Sequence, residues 1–376
     1  MPVQRDPVNR ERTSMIRVVI VDDSPVIIEL LIFALGEDKD LQVIGTAKDG
    51  QEAVRVVAEK RPDIVLMDIN MPKMNGFEAT RQIMETTAVP IVIMTSARDP
   101  REVAVSFEAM QAGALACLHK PTGIDHKDYA KTIEELKNTL KLMAGIPVVR
   151  RWRPIPRTDA VPEFIPTREP LPSYGIIAIG ASTGGPTAIE TILSRFPKNL
   201  PVPVLIVQHM SEGFTVGFVD WLEKTSGFPV SIPKNGDTLK SGHAYVAPEG
   251  FHMGLDSGHS IQLSPSPPEN GLRPSVSYLF RSLKTVCGNH TIAVLLTGMG
   301  EDGADELLNL KKAGAITFAQ DESSSVVFGM PGVAIKRGAA LYVMPPEKIT
   351  EMITGLVFPS GNRMDLSFMK QPKREV

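Results

Sequence analysis

The stretch that decides the fold of the second half of the chain is Ile176-Ile-Ala-Ile-Gly-Ala-Ser-Thr-Gly-Gly-Pro186. It begins as a short apolar run typical of a buried strand, and Pro186 suits the first turn of a following helix. Ser182 lies in the small-residue turn between them. Its hydroxyl would be exposed near helix N–H groups that can receive negative charge. The pattern therefore predicts a nucleophile at the end of a strand.

A second interpretation of the same turn is a phosphate-binding or dinucleotide-binding loop. The run GASTGG lacks the G-x-G-x-x-G spacing of dinucleotide-binding turns, and no Lys follows it as a P-loop requires. A nucleophilic serine fits these residues better. It still needs a base, because a neutral hydroxyl is a poor nucleophile near neutral pH.

Two other apolar runs place candidate partners for Ser182 at strand ends. His209 follows Val204-Leu-Ile-Val207, and Asp302 lies beside Glu301 in the loop LLTGMGEDG at 295–303. An imidazole can take the serine proton, and a carboxylate can orient the imidazole. Taken singly, His209 would be a structural strand-end residue and Asp302 a helix cap. The order Ser–His–Asp differs from the Ser–Asp–His of α/β-hydrolases, which implies a separate solution on a related architecture.

Short apolar runs alternate with helix-length segments around these positions, which predicts a Rossmann-like parallel α/β domain over residues 174–357. The predicted strands are 176–179, 204–207, 292–296, 315–318 and 341–343. Three shorter runs, 244–246, 252–255 and 261–263, are separated by Gly and Ser. We expect them to form a short antiparallel excursion.

The first half of the chain has the same alternation, which predicts a doubly wound, flavodoxin-like α/β domain over residues 15–144. Its predicted strands are 18–21, 43–47, 64–67, 91–94 and 115–118. Residues 1–14 are typical of a flexible leader, and 358–376 of a tail. Residues 145–173 are rich in Pro and Arg, as in a semi-rigid linker.

Polar residues follow four of the strands predicted in the first domain. Asp22, Asp23, Asp68, Thr95 and Lys120 all lie where strands end, and such loops converge on one crevice in a doubly wound sheet. Clustered carboxylates repel one another unless a cation such as Mg²⁺ lies among them. Asp68 could then attack a phosphoryl donor, with Thr95 and Lys120 contacting the phosphoryl oxygens. The Lys120–Pro121 bond is a candidate cis peptide.

Composition limits the partners. The formal net charge of −3 argues against electrostatic binding to nucleic acid or to an anionic membrane. The sequence shows neither an export signal nor an apolar window long enough to span a bilayer, so we expect a cytoplasmic protein with protein partners and no membrane insertion. Cys117 and Cys287 lie far apart in apolar runs, where we expect neither a disulfide nor a zinc site.

The first domain resembles the response-regulator receiver family. The matching motifs are IVDDSP at 20–25, LMDINMPKMNG at 66–76, MTSA at 94–97 and LHKP at 118–121. The resemblance implies that Asp68 is phosphorylated and that Asp22, Asp23 and the Asn70 backbone carbonyl bind Mg²⁺ with it. It also implies that Thr95 and Lys120 sense the phosphoryl group. Cys117 departs from the family, because many receivers carry an aromatic switch residue there.

The second domain resembles the catalytic domain of chemotaxis protein-glutamate methylesterases. The matching motifs are IGASTGG at 179–185, VQHM at 207–210, AYVAPEG at 244–250, RPSVSYLF at 273–280, LLTGMGEDG at 295–303 and AQDESSSVVFGMP at 319–331. The resemblance implies a catalytic triad of Ser182, His209 and Asp302. Backbone N–H groups near Thr183 and in the Met299 loop would bind the oxyanion. Ser277 departs from the many members that have Asp there, a difference that we expect to alter the rim of the site.

The two resemblances together imply a phosphorylation-activated esterase. It would hydrolyse glutamate γ-methyl esters on chemoreceptors, release methanol, and receive its phosphoryl group from a chemotaxis histidine kinase. The family also implies deamidation of receptor glutamines. We expect a monomer whose esterase reaction needs no cofactor. The rival hypotheses are a response regulator whose second domain only binds a partner, and a nucleotide-binding module built around GASTGG.

Overall fold

A computed structural model describes residues 15–96, 100–121, 123, 126, 128–146, 148 and 175–358. Among these, residues 15–96 and 112–148 form one compact unit, and residues 100–111 and 175–358 form the other. The predicted leader, the predicted tail beyond residue 358 and nearly all of the predicted linker lie outside the described residues.

The first sheet has five strands in the order β2-β1-β3-β4-β5, and every pair is parallel. The strands are β1 (Ile16–Val21), β2 (Leu41–Ala47), β3 (Ile64–Asp68), β4 (Ile91–Thr95) and β5 (Ala116–His119). β3 and β4 are buried along their whole length because helices cover both faces of a parallel sheet. The predicted doubly wound fold of this domain is confirmed.

Three of the five helices in this domain begin at a residue whose side chain caps the first turn. The helices are α1 (Pro25–Gly36), α2 (Gly50–Lys60), α3 (Gly76–Thr86), α4 (Pro100–Ala112) and α5 (Tyr129–Met143). The side chains of Ser24, Asp49 and Asn75 accept N–H bonds in the first turns of α1, α2 and α3. Pro25 occupies the first turn of α1, where its missing N–H costs nothing.

The second sheet has seven strands in the order β14-β13-β12-β6-β7-β9-β8, all paired in parallel. The strands are β6 (Ile176–Ala181), β7 (Val204–Gln208), β8 (Val230–Ser231), β9 (Ala244–Val246), β12 (Thr291–Leu295), β13 (Ile316–Gln320) and β14 (Tyr342–Met344). The helices are α6 (Gly185–Leu193), α7 (Thr215–Ser226), α8 (Val276–Val286), α9 (Ala304–Lys312), α10 (Met330–Lys336) and α11 (Pro346–Val357), and a 3₁₀ turn spans Gly288–His290. The predicted parallel α/β class is confirmed.

The predicted antiparallel excursion is only partly right. β10 (His252–Leu255) and β11 (Ile261–Ser264) form an antiparallel pair, whereas β9 joins the main sheet in parallel with β7 and β8. All three residues of β9 are buried, so the strand lies within the core and not in an exposed hairpin.

In both sheets the order of the strands reverses beside the first strand of the domain. In the first sheet the chain runs from β1 outward to β2 and then back to β3; in the second, β6 lies between β7 and β12. Ligands of doubly wound sheets bind outside the carboxyl ends of the strands at such reversals. These two edges are therefore where functional residues are expected. Within the described ranges, none of the helices has the length and apolar character needed to cross a bilayer.

Candidate active site

Ser182 directly follows β6 at the reversal in the second sheet. Its N–H donates to the carbonyl of Thr297, which follows β12, at 3.0 Å. The next turn is tight: Gly184 has a φ of +78°, and a Cβ on it would lie 2.5 Å from the Val326 side chain. A Cβ on Gly298 would lie 2.7 Å from the Cβ of Ser182. The two glycines thus let three chain segments meet at the serine.

His209 lies at the neighbouring strand end, as predicted. β6 and β7 pair with Ala181 opposite Gln208, and the N–H of His209 donates to the Ala181 carbonyl at 3.0 Å. The buried Gln208 amide donates to the carbonyls of Ser182 and His209, both at 2.8 Å. Gln208 therefore ties together the backbones that carry the two residues, a role that the motif VQHM did not reveal in advance.

A hydrogen bond joins His209 to Asp302. The distance from His209 Nε2 to Asp302 Oδ2 is 3.0 Å, and the side chains are 10% and 2% exposed. This leaves Nδ1 as the imidazole nitrogen that could serve Ser182. Across residues 175–358 the structure shows no hydrogen bond from the Ser182 hydroxyl to His209. Catalytic hydrogen bonds are often long in unliganded enzymes, so proton transfer between these two residues stays a prediction.

Asp302 accepts further hydrogen bonds at the start of α8. Its Oδ1 accepts from Ser275 Oγ at 2.9 Å and from Ser277 N at 3.0 Å, and its Oδ2 accepts from Val276 N at 2.6 Å. Burial by itself raises the pKa of this carboxyl, but His209, Ser277 and Val276 lower the pKa far below its usual range. Asp302 is therefore a carboxylate held at a helix N-terminus, where negative charge is stabilised.

Ser275 and His252 were not predicted to take part in the site. Ser275 is fully buried and is the N-cap of α8, while its own N–H donates to His252 Nδ1 at 3.2 Å. His252 is also fully buried and stacks on Tyr278. The motif RPSVSYLF was recognised in the sequence. It does not reveal that Ser275 bonds to Asp302, which lies 27 residues away along the chain.

Ser277, where the sequence departs from the family motif, is a buried residue that contacts the loop of Asp302. The residue is only 7% exposed, and its Oγ accepts the N–H of Gly303 at 2.9 Å. Because its N–H donates to Asp302, Ser277 connects the first turn of α8 to both Asp302 and the residue after it. Ser277 therefore supports the loop that carries Asp302.

The predicted oxyanion donors lie beside the serine. Within residues 175–358, the N–H groups of Thr183 and Met299 donate to no other group of the chain. The carbonyl of Gly298 accepts from Gly329 N at 3.1 Å and from Met330 N at 2.9 Å, which holds the Met299 loop in place. The Met299 side chain is 45% exposed. Both amides are available to bind a negatively charged oxygen, and their role as oxyanion donors stays a prediction.

Glu249 supports the loop that carries His209. Its carboxylate accepts from Gly213 N at 2.8 Å and from Thr215 N at 2.9 Å. These amides open α7, whose N-cap residue Phe214 makes no side-chain capping bond. Glu249 thus caps α7 from a distant segment. The motif AYVAPEG contains it, but nothing local to that motif indicates the contact.

The predicted phosphorylation pocket lies at the reversal in the first sheet. The Lys120 ammonium is 2.8 Å from Asp22 Oδ2 and 3.0 Å from Asp68 Oδ1. Carboxylate oxygens of Asp22, Asp23 and Asp68 lie within 4.8 Å of one another. Such a set of oxygens fits a hard divalent cation such as Mg²⁺. The structure therefore brings together the predicted acidic residues and the lysine.

Electrostatics in this pocket favour a cation. Burial raises the pKa of Asp68, and the neighbouring charge of Asp22 adds to the rise against the opposing effect of Lys120. Burial opposes the charged form of Lys120, but Asp22 and Asp68 raise its pKa. A divalent ion would stabilise Asp68 as a carboxylate.

The remaining predicted receiver residues lie around this pocket. Thr95 ends β4, and its carbonyl accepts the N–H of Lys120 at 2.8 Å. Asn70 is exposed, two residues after Asp68, and its role as a carbonyl ligand stays a prediction. Cys117 is half-buried in β5, opposite Ile93. The predicted cis peptide at Lys120–Pro121 is wrong: among the described residues, the cis bond is Arg273–Pro274.

Comparison with known proteins gives a family match for each half of the chain. A family model described as response regulator receiver domain matches residues 18–133, and one described as CheB methylesterase matches residues 177–353. A protein-glutamate methylesterase/protein-glutamine glutaminase of Nitrosospira multiformis is 50% identical over 351 residues, covering 92% of this chain and 98% of that protein. One from Syntrophus aciditrophicus is 48% identical, covering 91% and 98%.

Solved structures also resemble each half. The CheB methylesterase catalytic domain of Thermotoga maritima is 39% identical and covers 49% of this chain and 100% of that chain, with a TM-score of 0.48. The response regulator domain of Thermotoga maritima CheB is 32% identical and covers 35% and 98%, with a TM-score of 0.33.

The fold, the two sites and the family matches define a response regulator whose second domain is of the methylesterase class. The chain belongs to the family of protein-glutamate methylesterases/protein-glutamine glutaminases, with which it aligns over nearly the whole length of its relatives.

Proposed function

We propose that this protein is a phosphorylation-activated protein-glutamate methylesterase that acts on chemoreceptors through Ser182, His209 and Asp302. The observation that carries the proposal is the hydrogen bond between His209 and Asp302 at strand ends adjacent to that of Ser182. A nucleophile, a base and an orienting carboxylate are the groups that serine ester hydrolysis requires.

In the first half of the reaction, Ser182 Oγ attacks the γ-carbonyl carbon of a methylated glutamate while His209 takes the hydroxyl proton. The carbonyl oxygen becomes an oxyanion that the N–H groups of Thr183 and Met299 bind. His209 returns the proton to the methoxy group as the C–O bond breaks, and methanol leaves. Asp302 keeps its negative charge and stabilises the imidazolium.

In the second half, water replaces methanol. His209 takes a proton from the water as its oxygen attacks the acyl carbon, and then gives that proton to Ser182 Oγ. The product is a free glutamate side chain. The same steps with ammonia as leaving group would deamidate a receptor glutamine, and the printed names of the relatives combine the two activities.

The receiver controls this reaction in the proposal. Asp22, Asp23, Asp68 and the Asn70 carbonyl would hold Mg²⁺, which neutralises charge during phosphoryl transfer. Asp68 would take the phosphoryl group of a histidine kinase. Lys120 would move from its contact with Asp68 to a phosphoryl oxygen, and Thr95 would donate to another.

The helix α4 has aromatic contacts in the second compact unit. Residues 100–111 lie in sequence between Thr95 and Lys120 but belong to the compact unit of the second sheet. In that unit, the ring of Phe107 lies 5.5 Å from that of Trp221 and 6.3 Å from that of Phe214, beside the start of α7. In the proposal, phosphorylation of Asp68 exposes Ser182 to its substrate.

The test is methanol release from a methylated receptor preparation, with and without acetyl phosphate and Mg²⁺. We expect acetyl phosphate to stimulate turnover in the natural chain. Ser182→Ala should abolish turnover, and acetyl phosphate should not stimulate the Asp68→Asn variant. A protein that only binds receptors would release no methanol. If methanol release does not change with acetyl phosphate in the natural chain, the regulatory part of the proposal is refuted while the esterase part stands.

The organisation of the protein follows from the same proposal. The receiver would span residues 15–144 and the esterase residues 174–357, joined by the linker 145–173. The partners would be methyl-accepting chemoreceptors as substrate and a histidine kinase as phosphoryl donor. The protein would act as a monomer in the cytoplasm, without nucleic acid and without inserting into the membrane.

A further inference from the structure

We infer that Ser275 is a positioning residue of the esterase reaction, which fixes the Asp302 carboxylate by a hydroxyl hydrogen bond and is itself held from behind by His252. This inference rests on the proposed function, because it concerns how Asp302 orients His209.

The Ser275 hydroxyl has one proton to donate. Its Oγ lies 2.9 Å from Asp302 Oδ1 and 3.4 Å from the N–H of Tyr278. An ionised carboxylate only accepts hydrogen bonds, and the Tyr278 amide only donates them. The proton therefore points at Asp302, and a lone pair of the same oxygen caps α8. The bond to the charged carboxylate is the shorter of the two and, by its charge, the stronger.

Ser275 is in turn fixed by a histidine of defined tautomer. The Ser275 N–H donates to His252 Nδ1 at 3.2 Å, so Nδ1 has no proton. His252 Nε2 lies 3.1 Å from the carbonyl oxygen of Pro267, which requires a proton on Nε2. His252 is therefore neutral and uses both ring nitrogens. It is fully buried, and its ring lies 4.7 Å from that of Tyr278, in the first turn of α8.

The carboxylate needs this support to hold one orientation. Oδ2 of Asp302 receives His209 and the N–H of Val276, whereas Oδ1 receives the Ser275 hydroxyl and the N–H of Ser277. Without the hydroxyl, Oδ1 keeps a single donor, so the carboxylate is held less firmly and keeps more of its negative charge for His209. His209 would then be oriented less precisely, and we expect the effect in kcat, since Ser275 is fully buried behind Asp302.

The experiment compares Ser275→Ala, Ser275→Gly and Ser275→Thr in the full chain activated with acetyl phosphate. Alanine and glycine both remove the donor, but glycine is almost as good an N-cap as serine. Threonine keeps the hydroxyl. We expect kcat to fall about tenfold or more in both donor-free variants, with KM nearly unchanged, and to recover substantially in the threonine variant.

The pH profile separates this role from a structural one. Loss of the donor makes the Asp302 carboxylate hold the His209 proton more tightly, so the acid limb of kcat/KM should move to higher pH. His209 is the titratable group bonded to Asp302, and His252 is the one bonded to Ser275. A helix that merely unfolds more easily would lower the active fraction without moving the limb.

Three outcomes would overturn the inference. The first is a kcat of Ser275→Gly equal to that of the natural chain, and the second is an acid limb that does not move in Ser275→Ala. The third is a Ser275→Thr variant as impaired as Ser275→Ala although it unfolds at the temperature of the natural chain. Ser182→Ala is measured in the same assay. Turnover retained there would refute the triad itself, whereas full activity of Ser275→Ala beside an inactive Ser182→Ala refutes only the role of Ser275.

Discussion

The two halves of this protein each bury a carboxylate at the reversal of a parallel sheet, and the two carboxylates are held in opposite ways. Asp68 is 2% exposed and Asp302 is 4% exposed, so burial raises the pKa of each. The pKa of Asp68 nevertheless ends above its usual value and that of Asp302 below it. The difference lies in the hydrogen-bond donors around each carboxylate.

Asp302 has fixed donors of its own, three from the start of α8 and one from His209. Asp68 shares one ammonium with Asp22, and the charge of Asp22 repels it. The comparison shows two uses of one position in the fold. In the proposed function, one carboxylate is kept charged to orient a base, and the other is left short of positive charge until a cation and a phosphoryl group arrive.

The largest expected effect tests the charged carboxylate. Asp302→Asn keeps the shape of the side chain but removes the charge that stabilises the His209 imidazolium, and its amide can orient the wrong tautomer. We expect kcat for methanol release to fall by about three to four orders of magnitude. Asp305→Asn, in the same segment but paired with Arg337 at the surface, is the matched control and should retain turnover. Comparable losses in the two variants would contradict the role of Asp302.

A smaller effect tests the carboxylates that lack a cation. Mg²⁺ should stabilise the natural chain against thermal unfolding, because it binds the folded cluster; saturation at a hundred times the dissociation constant corresponds to about 2.7 kcal/mol. Asp22→Asn and Asp23→Asn should each weaken the shift. Differential scanning calorimetry with Mg²⁺ and with EDTA measures it, and Asp40→Asn serves as a surface control. Equal shifts in the natural chain and in Asp22→Asn would contradict the proposed site.

Neutralising the two aspartates should change stability in opposite directions. Without Mg²⁺, Asp68→Asn relieves repulsion from Asp22 and should raise the unfolding temperature of the receiver transition. Asp302→Asn removes a well-bonded carboxylate and should lower that of the esterase transition, each by about 1–3 kcal/mol in free energy. Shifts of the same sign in calorimetry would show that burial, and not the donors, dominates both sites.

The same difference should appear in the dependence of stability on pH. The folded pKa of Asp302 is depressed, so its stabilising contribution is present above the unfolded pKa of about 3.9 and is lost as the pH falls below it. The folded pKa of Asp68 is raised, so its contribution is present at acid pH and is lost as the pH rises through that value. Unfolding scans of the natural chain beside each Asn variant from acid to neutral pH measure both slopes.

The smallest expected effect concerns the support of His209. Glu249→Gln keeps one acceptor for the two amides that open α7 and places an NH₂ group against the other, so the loop after His209 should loosen. We expect kcat to fall a few-fold, in line with about 1 kcal/mol for one lost hydrogen bond. Asp220→Asn, at an exposed position of α7, is a control for the change in charge. Unchanged kcat in Glu249→Gln would mean that α7 keeps its position without the cap.

Much of both sites could be predicted because each residue follows a strand. Ser182, His209 and Asp68 come directly after or at the end of an apolar run, and the carboxyl ends of parallel strands meet at one edge. Asp302 was placed correctly because its loop follows β12, and α9 begins two residues later. The same logic failed for β9, because a run of three apolar residues is too short to distinguish a hairpin from a buried parallel strand.

The sequence by itself determined two parallel α/β domains, the strand ends that carry the acidic pocket and the predicted catalytic residues, and the family to which the motifs point. These features depend on local patterns: hydrophobic periodicity, turn residues and the order of strands along the chain. The tertiary structure alone decided that Ser275 and Ser277 bind Asp302 and that Glu249 binds the start of α7, because each contact joins segments at least 25 residues apart. Hydrogen-bond partners of buried polar groups are set by packing in three dimensions, which local sequence patterns do not specify.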